Sequence, residues 1–408
     1  MATPAFDSSV LTRRGVLAAA AGSLLLSACG QPGQRPDDGT PGSAAPDRHE
    51  LVVGASLELT GRGAAHGVLQ RRALELTAEE LNVSGFPVGN LRRTVRLEIR
   101  DNGSDPRLAA RQATELARRD EVHALVGGTL AETSLAIVGV AQARQVPFLS
   151  LGFGDGIALP LAQRTFVYKL TPDAADVARR MAQLIESLRL RRVVLVAVDG
   201  PHGDAGVRAV RLALPAVDVG LARTVRLPVG GTGFTDAAER VVSAEPDGVI
   251  VWATAPDSGS AARALRRAGY RGTLVLDPGA VAEETLTRPN LAAVEGAYAI
   301  HPACLGGSML TTSTTAERDR REFTLRYTQR FDRFTGFAPY ASDALRLLTS
   351  AARMASSVDR GRLRAYLQTQ VVEGIAGGYA FAPIRHGGME PDSLGVYQVN
   401  QGAWTVWS

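Results

Sequence analysis

Cysteine and lysine are scarce in this chain, and each scarcity excludes something. Only two cysteines occur, Cys29 and Cys304, so a disulfide-stapled fold is out of reach, and Cys304 is expected to be a small buried hydrophobe. Lysine occurs once, at Lys169, which leaves arginine to carry nearly all of the 45 basic side chains. The simplest source of that bias is a GC-rich genome. A nucleic-acid binder would gather such charge into a patch. Here the arginines are scattered, meet Asp and Glu along many segments and leave a net charge of only +4, so they are solvated faces and no nucleic-acid partner is expected. A nucleophile elbow, a phosphate loop, zinc-ligand spacing and a Cys-His arrangement are also missing. The sequence therefore predicts neither catalysis, nor a cofactor, nor a metal site.

What is present begins with an export signal. Thr12-Arg13-Arg14-Gly15-Val16-Leu17 resembles a twin-arginine signal, although Val16 stands where an aromatic is preferred and the general secretory route stays open. The apolar run from Val16 to Ala28 is too short for a bilayer, which needs roughly 20 residues. It ends in Leu26-Ser27-Ala28-Cys29, which resembles a bacterial lipobox, so Cys29 is the expected lipidation site and mature N-terminus. Residues 30–49 are rich in Gly, Pro, Asp and Ser without apolar periodicity, the composition of a flexible tether.

At 408 residues the chain exceeds what one core usually fills, about 250 to 300 residues, so two domains are expected. From Leu51 short apolar runs alternate with helical ones, the signature of parallel βα units. Strands are predicted over 51–57, 95–100, 124–126, 147–149, 193–198, 224–227, 248–251, 273–276 and 297–300. Helices are predicted over 69–81, 106–119, 131–143, 174–188, 205–214, 234–244, 258–268, 317–335, 338–356 and 360–369, with short strands at 379–381 and 395–406. Asp105-Pro106 and Thr171-Pro172-Asp173 mark helix starts, and Asp120, Gly220 and Gly269 helix ends. The fold class is α/β with two doubly wound lobes. Ligands of such sheets sit outside the carboxyl ends of the strands, so two facing lobes share one cleft.

Several segments resemble one family. Leu51-Val52-Val53-Gly54-Ala55-Ser56-Leu57 with Leu59-Thr60-Gly61 and Gly67, Arg100-Asp101-Asn102-Gly103-Ser104-Asp105-Pro106, Leu125-Val126-Gly127, Val146-Pro147-Phe148-Leu149-Ser150 and Ala268-Gly269-Tyr270-Arg271-Gly272 are similar, in order, to type I periplasmic binding proteins of the branched-chain amino acid group. The resemblance covers nearly all of residues 51 to 400. It implies a Venus-flytrap fold with three crossovers, with lobe I from 50–169 plus 298–372 and lobe II from 170–297 plus 373–408. It also implies that the ligand's α-carboxylate is held by the loop after the third strand and the end of the fourth, while an acid of the second lobe holds the ammonium.

The candidate ligand contacts follow. Gly127-Gly128-Thr129-Leu130 runs into a helix whose exposed N–H groups suit a carboxylate, and Thr129 and Thr133 add hydroxyls; Thr129 has helix capping as its other reading. Ser150 ends a strand, and Gly152, Phe153 and Gly154 follow, where backbone can approach a ligand. Ala131 and Gly154 stand where the family keeps Ser and Thr, so two hydroxyl anchors are absent. Asp257 matches the ammonium-binding acid, or is an N-cap. His66 and His202 match ligand-touching tyrosines, in Gly-rich loops, and predict an affinity that changes between about pH 5 and 7. Phe337 and Tyr340, before the long helix from Ala341, are placed either to wall the cleft or to pack the hinge.

These features describe a monomeric, lipid-anchored, extracytoplasmic protein that delivers a small polar molecule, an amino acid or a relative, to the permease and ATPase subunits of an ABC importer. A ligand-sensing receptor subunit of the same fold is the alternative, and neighbouring genes separate the two. An NAD(P)-dependent enzyme is the weaker alternative: Gly61 to Gly67 resembles a variant dinucleotide loop, but it starts several residues past the strand, and Asp101 lies further on than the ~20 residues expected for a ribose acid.

Overall fold

The computed structural model describes residues 49–118, 122–231, 234–302, 304–305 and 313–407. The export signal, Cys29, most of the tether and Asp120 lie outside the described residues.

The first sheet contains β1 (Glu50–Leu57), β2 (Phe86–Val88), β3 (Leu91–Asp101), β4 (Ala124–Gly127), β5 (Phe148–Ser150) and β6 (Val167–Lys169), in the order β2-β3-β1-β4-β5-β6. All pairs are parallel except β2 with β3. The second sheet begins with β7 (Arg192–Val198), β8 (Gly220–Leu227), β9 (Gly248–Trp252), β10 (Thr273–Leu276) and β11 (Tyr298–Pro302). A separate hairpin pairs β12 (Val371–Glu373) with β13 (Gly378–Ala380). The antiparallel strands β14 (Leu394–Asn400) and β15 (Ala403–Val406) then complete the second sheet in the order β15-β14-β11-β10-β9-β7-β8. The chain leaves this sheet only after Pro302, so β11 belongs with it.

Helices cover both faces of each sheet, which is why the central strands read as continuous apolar runs. Along β1, Leu51, Val53, Ala55 and Leu57 face one core with α1 (Ala64–Asn82), whereas Val52 faces α2 (Pro106–Arg118) and α3 (Ala131–Arg144). Along β7, Val193, Leu195 and Ala197 face α4 (Ala174–Ser187) and α5 (Pro201–Ala213), and Val194, Val196 and Val198 face α6 (Phe234–Val242) and α7 (Asp257–Arg267). After the short α8 (Glu283–Leu286) and α9 (Leu291–Val294), α10 (Thr315–Phe331), α11 (Ala338–Ala355) and α12 (Arg360–Leu367) return to the first lobe, where Leu345, Leu348 and Leu363 enter its core.

β1 lies between β3 and β4, and β7 between β8 and β9, so each sheet reverses its strand order at its first strand. The loops leaving β1 and β4, and those leaving β7 and β9, therefore border the crevices. Both helices that follow the first strands start earlier than the Gly-rich sequence suggests, at Ala64 and Pro201. His66 and His202 consequently lie in first helical turns instead of loops. The glycine beside each one explains this: a Cβ on Gly67 would stand 2.1 Å from the Glu58 carbonyl oxygen, and one on Gly203 would stand 1.6 Å from that of Val198. Only a bare backbone lets the helix start against the strand end. Gly203→Ala is expected to destabilise the protein by about 3 kcal/mol or more, the upper range for overpacking, read as a lower urea midpoint.

The lobes are joined by three passages: after β6, after β11 and before β14. At the first, Lys169 is fully buried, donates from Nζ to the carbonyls of Thr171 (2.9 Å) and Pro172 (2.8 Å), and pairs with Asp173 at 2.7 Å. Its backbone bonds to His386 and Gly388 of the third passage. Asp173 is thereby drawn away from the helix it was expected to cap, and Asp155 instead accepts the Ala174 N–H at 3.0 Å. Asp105 does cap its helix, accepting from Arg107 N–H at 2.7 Å. Cys304 is buried as expected. Among the described residues, no helix is long and apolar enough to cross a membrane.

Candidate functional site

Four loops build the cleft. From the first lobe come residues 58–63 after β1 and 128–130 after β4; from the second, 199–200 after β7 and 253–256 after β9. The loop after β1 is anchored by Asp101, which accepts from the N–H groups of Leu59, Thr60 and Gly103 and from the Thr60 hydroxyl. Burial pushes the Asp101 carboxyl up, but these four donors outweigh it and hold it below the usual range.

The expected anion seat at the start of α3 has formed, and a side chain of the protein fills it. Glu58, fully buried, accepts from Thr129 N–H at 2.8 Å, from Leu130 N–H at 3.4 Å and from the Thr133 hydroxyl. Thr129 turns its hydroxyl to Gln70 at 2.6 Å and so does not cap the helix. Ser150 lies 2.6 Å from the Ser134 hydroxyl and accepts from Gly152 N–H at 3.2 Å. The carbonyl of Gly152 in turn takes the Thr171 hydroxyl at 2.6 Å. The hydroxyls of Thr129, Thr133 and Ser150 thus all have protein partners.

Opposite stands a second network. Asp277, fully buried after β10, lies 2.9 Å from His202 Nε2 and accepts from Ala253 N–H at 3.0 Å and Gly279 N–H at 3.1 Å. The Gly279 carbonyl reaches across the cleft to His66 Nε2 at 3.2 Å. Because a carbonyl only accepts, Nε2 carries the His66 proton. Burial, with the nearby imidazoles of His202 and His301 adding to it, lowers the His66 pKa to about 4 against the Gly279 bond. His66 therefore stays neutral between pH 5 and 7, and the titration expected of it in that window is absent from this closed arrangement. Asp257 opens α7, where its carboxylate accepts from Gly230 N–H of the loop after β8 at 3.0 Å instead of capping its own helix. Burial raises the Asp257 carboxyl above its ordinary range, opposed by that bond and by Arg62.

Aromatic rings close the cleft from behind. Phe153 packs against His202, Phe337 and Tyr340, with centroids 5.9, 5.4 and 6.1 Å away. Phe337 stacks edge-on against His66 at 3.7 Å. Tyr340 is fully buried in this wall. The narrow space between the jaws is lined by Arg62, Thr129, Leu130, Ala131, Glu132 and Phe153 on one side and by Val198, Asp199, His202, Val229 and Thr254 on the other. Arg62 pairs with Glu132 at 2.9 Å, and Arg226 holds Asp199 at 3.0 Å.

Among the predicted residues, Thr129, Leu130, Ala131, Phe153 and His202 border this space. His66, Thr133, Ser150 and Tyr340 are buried around it, and Asp257 stands behind Gly230. Sequence reasoning missed Glu58 and Asp277. Both left a signal: each is an acid placed directly after an apolar strand, where a buried charge needs a partner. Among the described residues no group of three or more His, Cys, Asp or Glu could hold a metal ion.

Paired sheets with crevices opposed across a closed space define a solute-binding architecture, and comparison with known proteins agrees. The pattern of the periplasmic binding protein family matches residues 50–403, and the chain belongs to that family. Solved structures of similar fold include an extracellular ligand-binding receptor from Rhodopseudomonas palustris HaA2, with 20% identity, a TM-score of 0.79 and coverage of 88% of this chain and 99% of that one. A leucine binding protein from Thermotoga maritima MSB8 matches with 19% identity, a TM-score of 0.75 and coverage of 88% and 98%. A branched-chain amino acid transporter substrate binding protein from Streptococcus pneumoniae, in complex with isoleucine, matches with 21% identity, a TM-score of 0.75 and coverage of 88% and 99%. The type I fold expected from the sequence is the fold observed.

Proposed function

We propose that the protein binds a small polar solute, an amino acid or a related compound, between its lobes and hands it to the permease and ATPase subunits of an ABC importer, tethered outside the membrane by a lipid on Cys29. The carrying observation is the pair of strand-order reversals, whose loops after β1 and β4 and after β7 and β9 line one cleft. Contacts made across it, His66 to Gly279 and Phe153 to His202, support closure of the jaws as the binding event. Leu130, Ala131, Phe153 and His202 contact the solute, with the backbone of Gly152 and Gly154 beside them. Thr133, Ser150 and Tyr340 shape the wall behind.

A thermal-shift screen of small metabolites tests this reading. A solute that binds only the folded state raises the melting temperature, by an amount set by its concentration relative to Kd. Asp257→Ala, which removes a buried acid and frees the loop at Gly230, is expected to weaken the best hit at least tenfold. NAD and NADP are expected to give no shift, and a clear response to either would replace solute delivery with a cofactor-using enzyme.

A further inference from the structure

We propose that Asp277 is the positioning residue of the cleft: one buried carboxylate sets the His202 ring toward the solute and the Gly279 carbonyl toward His66, and so couples the solute-facing side chain to the contact that joins the jaws. The inference deepens the solute-binding reading and rests on it. Asp277 is absent from the lining of the space between the jaws, so it acts only through what it holds.

It holds three elements of the second lobe at once. Oδ1 accepts the Ala253 N–H at 3.0 Å, while Oδ2 accepts the Gly279 N–H at 3.1 Å and lies 2.9 Å from His202 Nε2. Capping of the short turn at 278–280 explains the Gly279 bond alone. Ala253 and His202 stand 24 and 75 positions away, in the loop after β9 and the first turn of α5, so those contacts are tertiary. Because a carboxylate accepts, Nε2 carries a proton in either charge state of the ring. Among the described residues the other nitrogen, Nδ1, has no hydrogen bond to the protein, and His202 lines the space between the jaws. The edge bearing Nδ1 is therefore the one left for a solute.

The Gly279 end is set as firmly. Its carbonyl accepts from the Ala255 N–H at 3.0 Å and lies 3.2 Å from His66 Nε2 of the first lobe. A Cβ on Gly279 would stand 2.8 Å from Thr254 Cγ2 and 3.1 Å from Asp277 Oδ2, so the residue packs as bare backbone against both. Asp277 and Gly279 thus stitch the loop 253–256 at Ala253 and again at Ala255. A shift of the carboxylate moves together the ring that meets the solute and the carbonyl that meets the opposite lobe.

Two measurements on the full chain test this without any solute, so their failure is distinct from failure of the metabolite screen. Nitrogen-15 spectra of the imidazoles, with His202 assigned by its loss in His202→Gln, are expected to show a protonated Nε2 in the unaltered protein. A ring protonated at Nδ1 alone would overturn the proposal. Asp277→Asn keeps the shape of the side chain but has one oxygen too few for three donors, and hydrogen exchange reads the result across the cleft. Exchange of residues 68–71, in the first lobe, is expected to quicken about fivefold, what one typical hydrogen bond supplies, while α11 stays protected. His66→Leu is expected to quicken it equally and the double variant no further, because both substitutions break one chain of contacts. Unchanged exchange at 68–71 in Asp277→Asn, or a double variant quickened about 25-fold as independent effects multiply, would refute the coupling. If Asp277→Asn does not fold, His66→Leu decides alone. Coupling is reciprocal, so the His202 imidazole signals are expected to shift in that variant, and signals that stay in place would refute the proposal.

Discussion

Lys169→Met is expected to cost about 3 kcal/mol of folding stability, the lower end of what breaking a buried ion pair removes. Lys169 is wholly enclosed, and three acceptors converge on its ammonium: two carbonyls and the Asp173 carboxylate, whose side chain is 32% exposed. Methionine preserves most of the stem packing but leaves those acceptors without a cation, and the exposure of Asp173 is why the lower end applies. A pH signature identifies the mechanism. Burial pushes the Asp173 carboxyl up, but Lys169 outweighs it and holds the group below the ordinary range. A depressed carboxyl contributes stability that is present above its unfolded pKa and lost as pH falls through the folded one. Lys169→Met removes this contribution, so the gap between variant and parent in urea midpoint narrows toward low pH. A gap independent of pH would assign the loss to packing alone.

The second large effect is acid sensitivity. Burial lowers the pKa of His66, His123 and His301 to about 4, with nearby arginines helping at His123. The unfolded chain takes up protons on these residues near pH 6.5, whereas the folded chain does not until about pH 4. Stability therefore falls as pH drops through this window, by roughly 3 kcal/mol for each fully shifted imidazole. Asp343 works the other way. Burial raises its carboxyl to about 6 despite bonds from Ile375 N–H, Ala376 N–H and the Tyr379 hydroxyl, so the folded state binds its proton first and gains stability as pH falls from about 6. The three imidazoles, joined by His386, which burial also lowers, outweigh the raised Asp343 and Asp257, and the net loss is on the order of several kcal/mol between pH 6.5 and 4. Urea titrations at pH 7, 5.5 and 4 measure it, and His66→Gln should flatten the slope. A profile that is level or rises toward pH 4 would contradict the burial of these rings.

The elements legible in the sequence are those with enough turns or alternations to show a period. Strands such as β1, β7 and β10, and helices such as α2, α3 and α11, fall within a residue or two of their predicted bounds. Strands β2, β6 and β12 are too short to display any alternation, and their existence depends on neighbours already in place. The cleft divides along the same line. Its loops were legible because they follow strand ends, and His66 and His202 because they sit beside glycines after the first strand of each lobe. The partners were not. Nothing within the sequence around Glu58 shows that Thr129 will approach it, since their contact bridges 71 positions and exists only once β1 and β4 pair. The expected cap at Asp173 failed for a similar reason: a lysine four positions earlier competes for the carboxylate.

The clasp around Lys169 also limits how the molecule can move. It fastens the first and third passages to one another through backbone bonds from Lys169 to residues 386 and 388, leaving little slack for one half to glide past the other. Motion is left with rotation, like the covers of a book about a sewn spine, so the mouth widens most at the edge farthest from the binding and least beside it.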